Sequence, residues 1–111
     1  MTKILFLCHG NICRSPMAEF IMKDLVRKAG LSDRFQIDSA AVSREELGNP
    51  IYPPARRELD AHNVPFTHRR ARLVTENDLA YYDRVYYMDS RNARYLRQLF
   101  GDRAAKCRPL L

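Results

Sequence analysis

Met1-Thr-Lys-Ile-Leu-Phe-Leu-Cys8-His-Gly-Asn-Ile-Cys-Arg14-Ser-Pro-Met-Ala-Glu19-Phe20 opens the chain. Ile4 to Leu7 is an unbroken apolar run, the pattern of a strand buried on both faces of a parallel sheet. It ends on Cys8. A polar loop follows, and Ser15-Pro16 is a helix start signal, with serine at the N-cap, proline in the first helical position and Glu19 in the first turn. Met17, Phe20, Ile21 and Leu25 then recur at helical spacing, and Gly30 marks the stop. Strand, short loop and helix in this order set the frame for the rest of the chain.

Phe35 to Ser39 is expected to form a second strand. A loop with Gly48, Pro50, Pro53 and Pro54 leads to a helix from about Ala55 to His62. Thr75-Glu-Asn-Asp78 starts a short helix, and Arg84 to Met88 forms a third strand. Ser90 caps a helix in which Ala93, Leu96, Leu99 and Phe100 repeat at helical spacing, with Gly101 at its end. Ala105 to Leu111 is a last strand that Pro109 confines to an edge or a frayed end. Strands alternating with helices predict an α/β fold: one doubly wound, mostly parallel sheet of about four strands flanked by helices. In such sheets ligands bind at the carboxyl ends of the strands, which is where Cys8 lies.

The 111 residues make one domain, spanning 1–111, with enough chain for a single core. The longest apolar run before Cys8 is four residues, far short of a membrane span, and the N-terminus carries no signal-peptide pattern. No membrane partner is expected. Three cysteines, an odd number without a signal, imply reduced thiols and a cytoplasmic location. None are paired as C-x-x-C and the three histidines are scattered, so no metal and no other cofactor is expected. Four lysines among 19 basic residues leave fifteen arginines. That bias suits phosphate or carboxylate, because guanidinium binds two oxygens at once, although a solvated basic surface explains the charge equally well.

Cys-x5-Arg alone is a weak pattern, and its setting strengthens it. A loop between a buried strand and a helix start can converge its backbone N–H groups on an anion, where the helix dipole favours negative charge. Gly10 lets the backbone approach a ligand, and Asn11 tolerates a left-handed conformation. There Cys8 would stand as the nucleophilic thiolate, Arg14 would grip a tetrahedral oxyanion, and the Ser15 hydroxyl would stabilise the sulfur. Together these describe phosphoryl transfer through a phosphocysteine.

Cys8-His-Gly-Asn-Ile-Cys-Arg-Ser-Pro-Met-Ala-Glu19 resembles the phosphate-binding loop of low-molecular-weight protein tyrosine phosphatases. Asp38-Ser-Ala40, Gly48-Asn-Pro-Ile-Tyr-Pro-Pro-Ala-Arg56, His68-Arg-Arg-Ala-Arg72 and Met88-Asp-Ser-Arg-Asn92 match in order, across essentially the whole chain. The resemblance implies hydrolysis of phosphotyrosine in a protein or peptide. Phosphate or sulfate would sit in a loop made of His9, Gly10, Asn11, Ile12, Cys13 and Arg14. It further implies that Asn11 braces the loop with support from Ser39 and His68, and that Cys8 and Cys13 form a reversible disulfide on oxidation. Asp89 would belong to a structural network with a histidine, His62 being the candidate. Tyr52 is the nearest aromatic available to wall a phosphotyrosine pocket.

The family's general acid comes from an Asp-Pro-aromatic segment near the C-terminus, and the residues up to Arg108-Pro-Leu-Leu111 contain none. We therefore expect a C-terminally incomplete fold, truncated from a longer enzyme, impaired in turnover and prone to self-association through an uncovered sheet face. The alternative is a weakly catalytic phosphate- or phosphotyrosine-binding module. An arsenate reductase would need further relay cysteines between Cys13 and Cys107, where there are none, and an arginine phosphatase of this type has threonine where Ile12 stands. No aromatic-interleaved motif accompanies Arg69, Arg70, Arg72, Arg91, Arg94 and Arg97, so no nucleic-acid partner is expected.

Overall fold

In the computed structural model, which describes residues 1–111, the apolar opening run becomes β1, Thr2–Cys8, an interior strand of the sheet. It lies between β2, Phe35–Ala41, and β3, Arg84–Tyr87; the two-residue β4, Arg108–Pro109, completes a parallel sheet of order β2-β1-β3-β4. Partners across a parallel pair share a face. Ile4 pairs with Ile37 and Phe6 with Tyr86, and these residues pack beneath α1, Arg14–Lys28, through Val26, Ala18 and Met22. Leu5, Leu7, Ala40 and Val85 form the other face, covered by Leu79 of α3, Glu76–Tyr81, and Leu96 of α4, Ser90–Phe100. A smaller cluster joins Phe20 of α1 to Ile51, Ala55 and Leu59 around α2, Pro53–Ala61. Helices on both faces explain why β1 is apolar from Ile4 to Cys8 and does not alternate there.

The element ends follow local chemistry, with five shifts from the expected boundaries. Ser15 is not a cap: α1 starts at Arg14 with Cys13 at its cap, and the Ser15 hydroxyl is used elsewhere. Gly30, at φ 73°, closes α1 in a Schellman turn in which Leu31 N–H reaches Val26 O at 2.9 Å. Asp89, and not Ser90, caps α4: its carboxylate accepts from Asn92 N–H at 3.0 Å, and Asn92 Oδ1 accepts from Asp89 N–H at 3.2 Å. The same Oδ1 takes Met88 N–H at 3.0 Å, which ends β3 one residue early at Tyr87. β2 runs on to Ala41 because Cys8 pairs with it. The last strand shrinks to Arg108–Pro109 because Gly101–Lys106 coils into 3-10 turns, and Pro109 lies on the free edge.

Residues 71–74 continue the sheet beyond β2. Ala41 N–H donates to Arg72 O at 2.7 Å and Val74 N–H to Ala41 O at 2.8 Å, which carries Arg69 and Arg72 beside the Cys8 loop. Arg72 is anchored by a two-pronged pair with Asp78, at 2.9 and 3.2 Å, and Asp78 also accepts from Thr75 N–H at 2.7 Å. Burial pushes the Asp78 carboxyl up, but the Arg72 guanidinium and the Thr75 N–H outweigh it and hold it below the ordinary carboxylate range. A depressed carboxyl stabilises the fold above its unfolded-state pKa, and that stability is lost as pH falls through the folded value. Asp78→Asn is accordingly expected to cost about 1–2 kcal/mol at neutral pH. In urea melts the gap to wild type should close with acidification, and a gap independent of pH would refute the assignment.

Candidate active site

β1 carries Cys8, buried, to the carboxyl end of the sheet, and the chain turns back into α1 within five residues. The carbonyls of that turn are taken by the surrounding chain. Cys8 O accepts from Val42 N–H at 3.0 Å, His9 O from Ser43 N–H at 3.1 Å, and Ile12 O from Tyr52 N–H at 2.7 Å. Asn11 O accepts from the Arg69 guanidinium at 2.6 Å. In a planar trans peptide the C=O and the following N–H point in opposite directions. Each carbonyl tied outward therefore turns the next N–H inward, at His9, Gly10, Ile12 and Cys13. The N–H groups of residues 9–13 donate to no acceptor in the protein. A run of free donors at the start of a 15-residue helix is an anion cradle.

Asn11 holds the cradle in shape. It is fully buried and sits in the left-handed region at φ 59°, where asparagine is tolerated. Its Oδ1 accepts from the Arg69 guanidinium and from Arg72 N–H, the latter at 3.2 Å, so its Nδ2 faces the other way. Nδ2 donates to Ser15 Oγ at 2.8 Å and to Ser39 Oγ at 2.9 Å. Both hydroxyl hydrogens are thereby directed onward. Ser39 donates to Glu19 at 2.5 Å, and Glu19 pairs with Lys23 at 2.6 Å. Ser15 Oγ lies 3.0 Å from Cys8 Sγ and 3.5 Å from Ala40 O, and against a Cys8 thiolate, which can only accept, its hydrogen turns to the sulfur. At the mouth of the loop Arg14 extends to Asp89 at 2.9 Å, the two side chains 48% and 38% exposed.

Residues 3–111 match the family described as low molecular weight phosphotyrosine protein phosphatase. The chain belongs to that family. The Bacillus subtilis low molecular weight protein-tyrosine-phosphatase YfkJ is 41% identical over 101 residues, which are 91% of this chain and 65% of that relative. The Homo sapiens low molecular weight phosphotyrosine protein phosphatase is 41% identical over 93 residues, 84% of this chain and 58% of its own length. The chain thus spans less than two thirds of these curated relatives. The crystal structure of SP-PTP from Streptococcus pyogenes superposes with a TM-score of 0.89 at 35% identity, over 98% of this chain and 71% of that one.

Within this phosphatase-family site, several side chains stand away from their expected places. His68 does not support Asn11. His68 is exposed, and its neighbour Arg69 turns inward to bond Asn11 twice. His62 does not reach Asp89: it pairs with Glu58 at 3.6 Å on its own helix, while Asp89 is shared between Arg14 and the α4 cap. At Gly10 an added Cβ would stand 2.9 Å from Glu46 Cγ, so any side chain there would have to displace Glu46. Tyr52 is exposed beside the loop, its N–H on Ile12 O.

His9 Nε2 meets Glu45 at 2.8 Å and Ser43 Oγ at 3.3 Å. Burial, and then the charge of Cys8, push the Cys13 thiol up, against the smaller opposing pull of Arg14. Cys8, Cys13 and Cys107 are all free thiols. The Asn92 N–H bond is the largest influence and lowers the Asp89 carboxyl; burial opposes it, and the Arg14 contact adds to the lowering. Arg69, Arg72 and Ser43 complete the site without having been singled out as its supports in the sequence. The only sequence signal for the arginines is the run His68-Arg-Arg-Ala-Arg72, which leaves the inward-facing position undetermined.

Proposed function

We propose that this chain hydrolyses aryl phosphate monoesters, phosphotyrosine in a protein or peptide among them, by way of a phosphocysteine. The free N–H groups of residues 9–13 around the Cys8 sulfur carry this reading. They match the equatorial oxygens of a phosphoryl group, and Arg14, released from Asp89, closes the cradle with two parallel hydrogen bonds. The Cys8 thiolate attacks phosphorus; the P–S bond forms as the ester P–O bond breaks, and the aryl oxide departs. Water then attacks the phosphocysteine, inorganic phosphate leaves, and the sulfur recovers its electron pair with the Ser15 hydroxyl donating to it.

The proton for the leaving oxygen does not come from Asp89, whose carboxyl is held ionised by Asn92 N–H and Arg14. An ester whose aryl oxide leaves unprotonated is therefore the substrate for which these residues suffice. Where no other group donates that proton, phosphotyrosine is expected to turn over about 10²–10⁴ times more slowly. In the limit of that loss the chain is the phosphate-binding module of the alternative reading. The test is a quenched turnover with an activated aryl phosphate. Phosphate recovered on Cys8 supports catalysis; turnover that survives Cys8→Ser overturns it; phosphate binding with no turnover selects the binding module.

Asp89 competes with phosphate for Arg14. Asp89→Asn keeps the cap, since the amide oxygen still accepts from Asn92 N–H, and removes the ion pair. The pair is half-exposed, so the expected gain is a two- to fivefold lower inhibition constant for inorganic phosphate, about the worth of one surface pair. A weaker constant would mean that Asp89 positions Arg14 and does not compete for it.

Three further parts of this reading concern the thiols and the surface. Reversible pairing of Cys8 with Cys13 suits two free thiols in one loop. A reducing, cytoplasmic location suits free thiols at Cys8, Cys13 and Cys107. The sheet face expected to mediate self-association is covered by helices on both sides, so any self-association would fall to exposed apolar residues elsewhere, such as Ile21 and Leu25 of α1, 40% and 59% exposed.

A further inference from the structure

Helix α4 runs along one side of the phosphate cradle. Its cap, Asp89, holds Arg14, and Tyr95 meets His9 of the loop edge to face, ring centroids 5.3 Å apart. Arg91, Arg94 and Gln98 lie three or four residues from Tyr95 or from each other, on the same strip of helix. The four residues line an open groove of about 230 Å³ that begins at the loop's edge. Both arginines are exposed, and neither enters any ion pair. No carboxylate lines the groove, and those beside the loop are already engaged, Asp89 by Arg14, Glu45 by His9 and Glu46 by Asn49.

We propose that this groove is a subsite for acidic side chains flanking the phosphorylated residue of a peptide substrate. The inference rests on the reading of the loop as a phosphate cradle. A peptide whose phosphate lies in the cradle must pass its backbone over the rim. In extended form it advances about 3.3 Å per residue, and the strip from Arg91 to Gln98 is roughly 10 Å long, so about three flanking residues lie alongside it. Guanidinium binds carboxylate through paired, nearly parallel hydrogen bonds, and Tyr95 supplies a flat wall between loop and arginines. The unpaired arginines next to an anion cradle thus select substrates with Asp or Glu beside the phosphotyrosine.

The experiment compares two labelled phosphotyrosine peptides of equal length, one flanked by glutamates and one by lysines, by fluorescence anisotropy at low salt. The acidic peptide is expected to bind about tenfold more tightly, the worth of two or three exposed pairs, with the gap shrinking in salt. Arg91→Gln with Arg94→Gln should cut the gap below threefold, whereas the charge-matched pair Arg34→Gln with Arg108→Gln, on exposed residues elsewhere, should keep it. Equal losses in both variants, or no gap in the wild type, would overturn the subsite. So would equally tight binding of the unphosphorylated acidic peptide or of anionic lipid vesicles, which would make the strip a general cationic surface. Competition by inorganic phosphate reads the cradle separately: its absence would count against the loop assignment and leave the flank comparison interpretable.

Discussion

Cys8→Ser should lower turnover of an activated aryl phosphate on the order of 10⁴-fold or more, the size of loss seen when a covalent nucleophile is removed. The substitution exchanges one chalcogen for a smaller one at a buried position, so little in the packing changes. An oxygen at that place still lies within reach of the Ser15 hydroxyl, 3.0 Å from the present sulfur. What is lost is the anion. A thiol is far more acidic than a serine hydroxyl, and no histidine or lysine hydrogen-bonds Cys8 to take a proton from a serine placed there. The cradle is made of backbone N–H groups, which the substitution leaves in place. Affinity for inorganic phosphate should therefore stay within a few-fold of wild type, by calorimetry or phosphorus NMR, while aryl oxide release disappears. Turnover within tenfold of the wild type would remove Cys8 from the chemistry. Joint loss of turnover and phosphate binding would mean that the sulfur itself organises the loop.

Most of the frame for this prediction is legible in the first twenty residues. A continuous apolar run this short reads as an interior strand, and a serine-proline pair eight residues after its end reads as a helix start; the intervening loop follows from those two. Asn11 was legible as a left-handed residue, because few side chains tolerate that conformation. The misplacements share a cause. Ser15 and Ser90 both look like helix caps, and both are displaced by one or two residues because a neighbouring group makes the better bond. Asp89 takes the α4 cap, and Asn11 takes Ser15 for the sulfur relay. His68 against Arg69 was undecidable, since residues 62–75 have no repeating pattern to say which side chain faces in. The Arg14–Asp89 pair joins positions 75 residues apart, and nothing local to either announces it.

Asn11 is the place where stability and activity meet, and two substitutions separate them. Asn11→Ala removes every bond the side chain makes and leaves an alanine in the left-handed region, costing about 1 kcal/mol for conformation alone. Arg69 loses a charged hydrogen bond at a site where burial already pulls its guanidinium below the ordinary value. Together the loss should be about 2–4 kcal/mol, seen as a lower urea midpoint, with turnover down on the order of 10²–10³ as the loop carbonyls come loose. Asn11→Asp keeps the shape, the tolerated backbone and the acceptor for Arg69 and Arg72 N–H, so most of the stability should return. It cannot donate. Ser15 and Ser39 would then turn their hydroxyl hydrogens toward the introduced carboxylate, withdrawing the Ser15 donor from Cys8 Sγ and setting a negative charge near the position that must hold phosphate. Asn11→Asp should thus be nearly as stable as wild type and at least as inactive as Asn11→Ala. If its activity returned along with its stability, the direction of the hydrogen bonds from Asn11 through Ser15 to the sulfur would be irrelevant to catalysis, and Asn11 would be a brace alone.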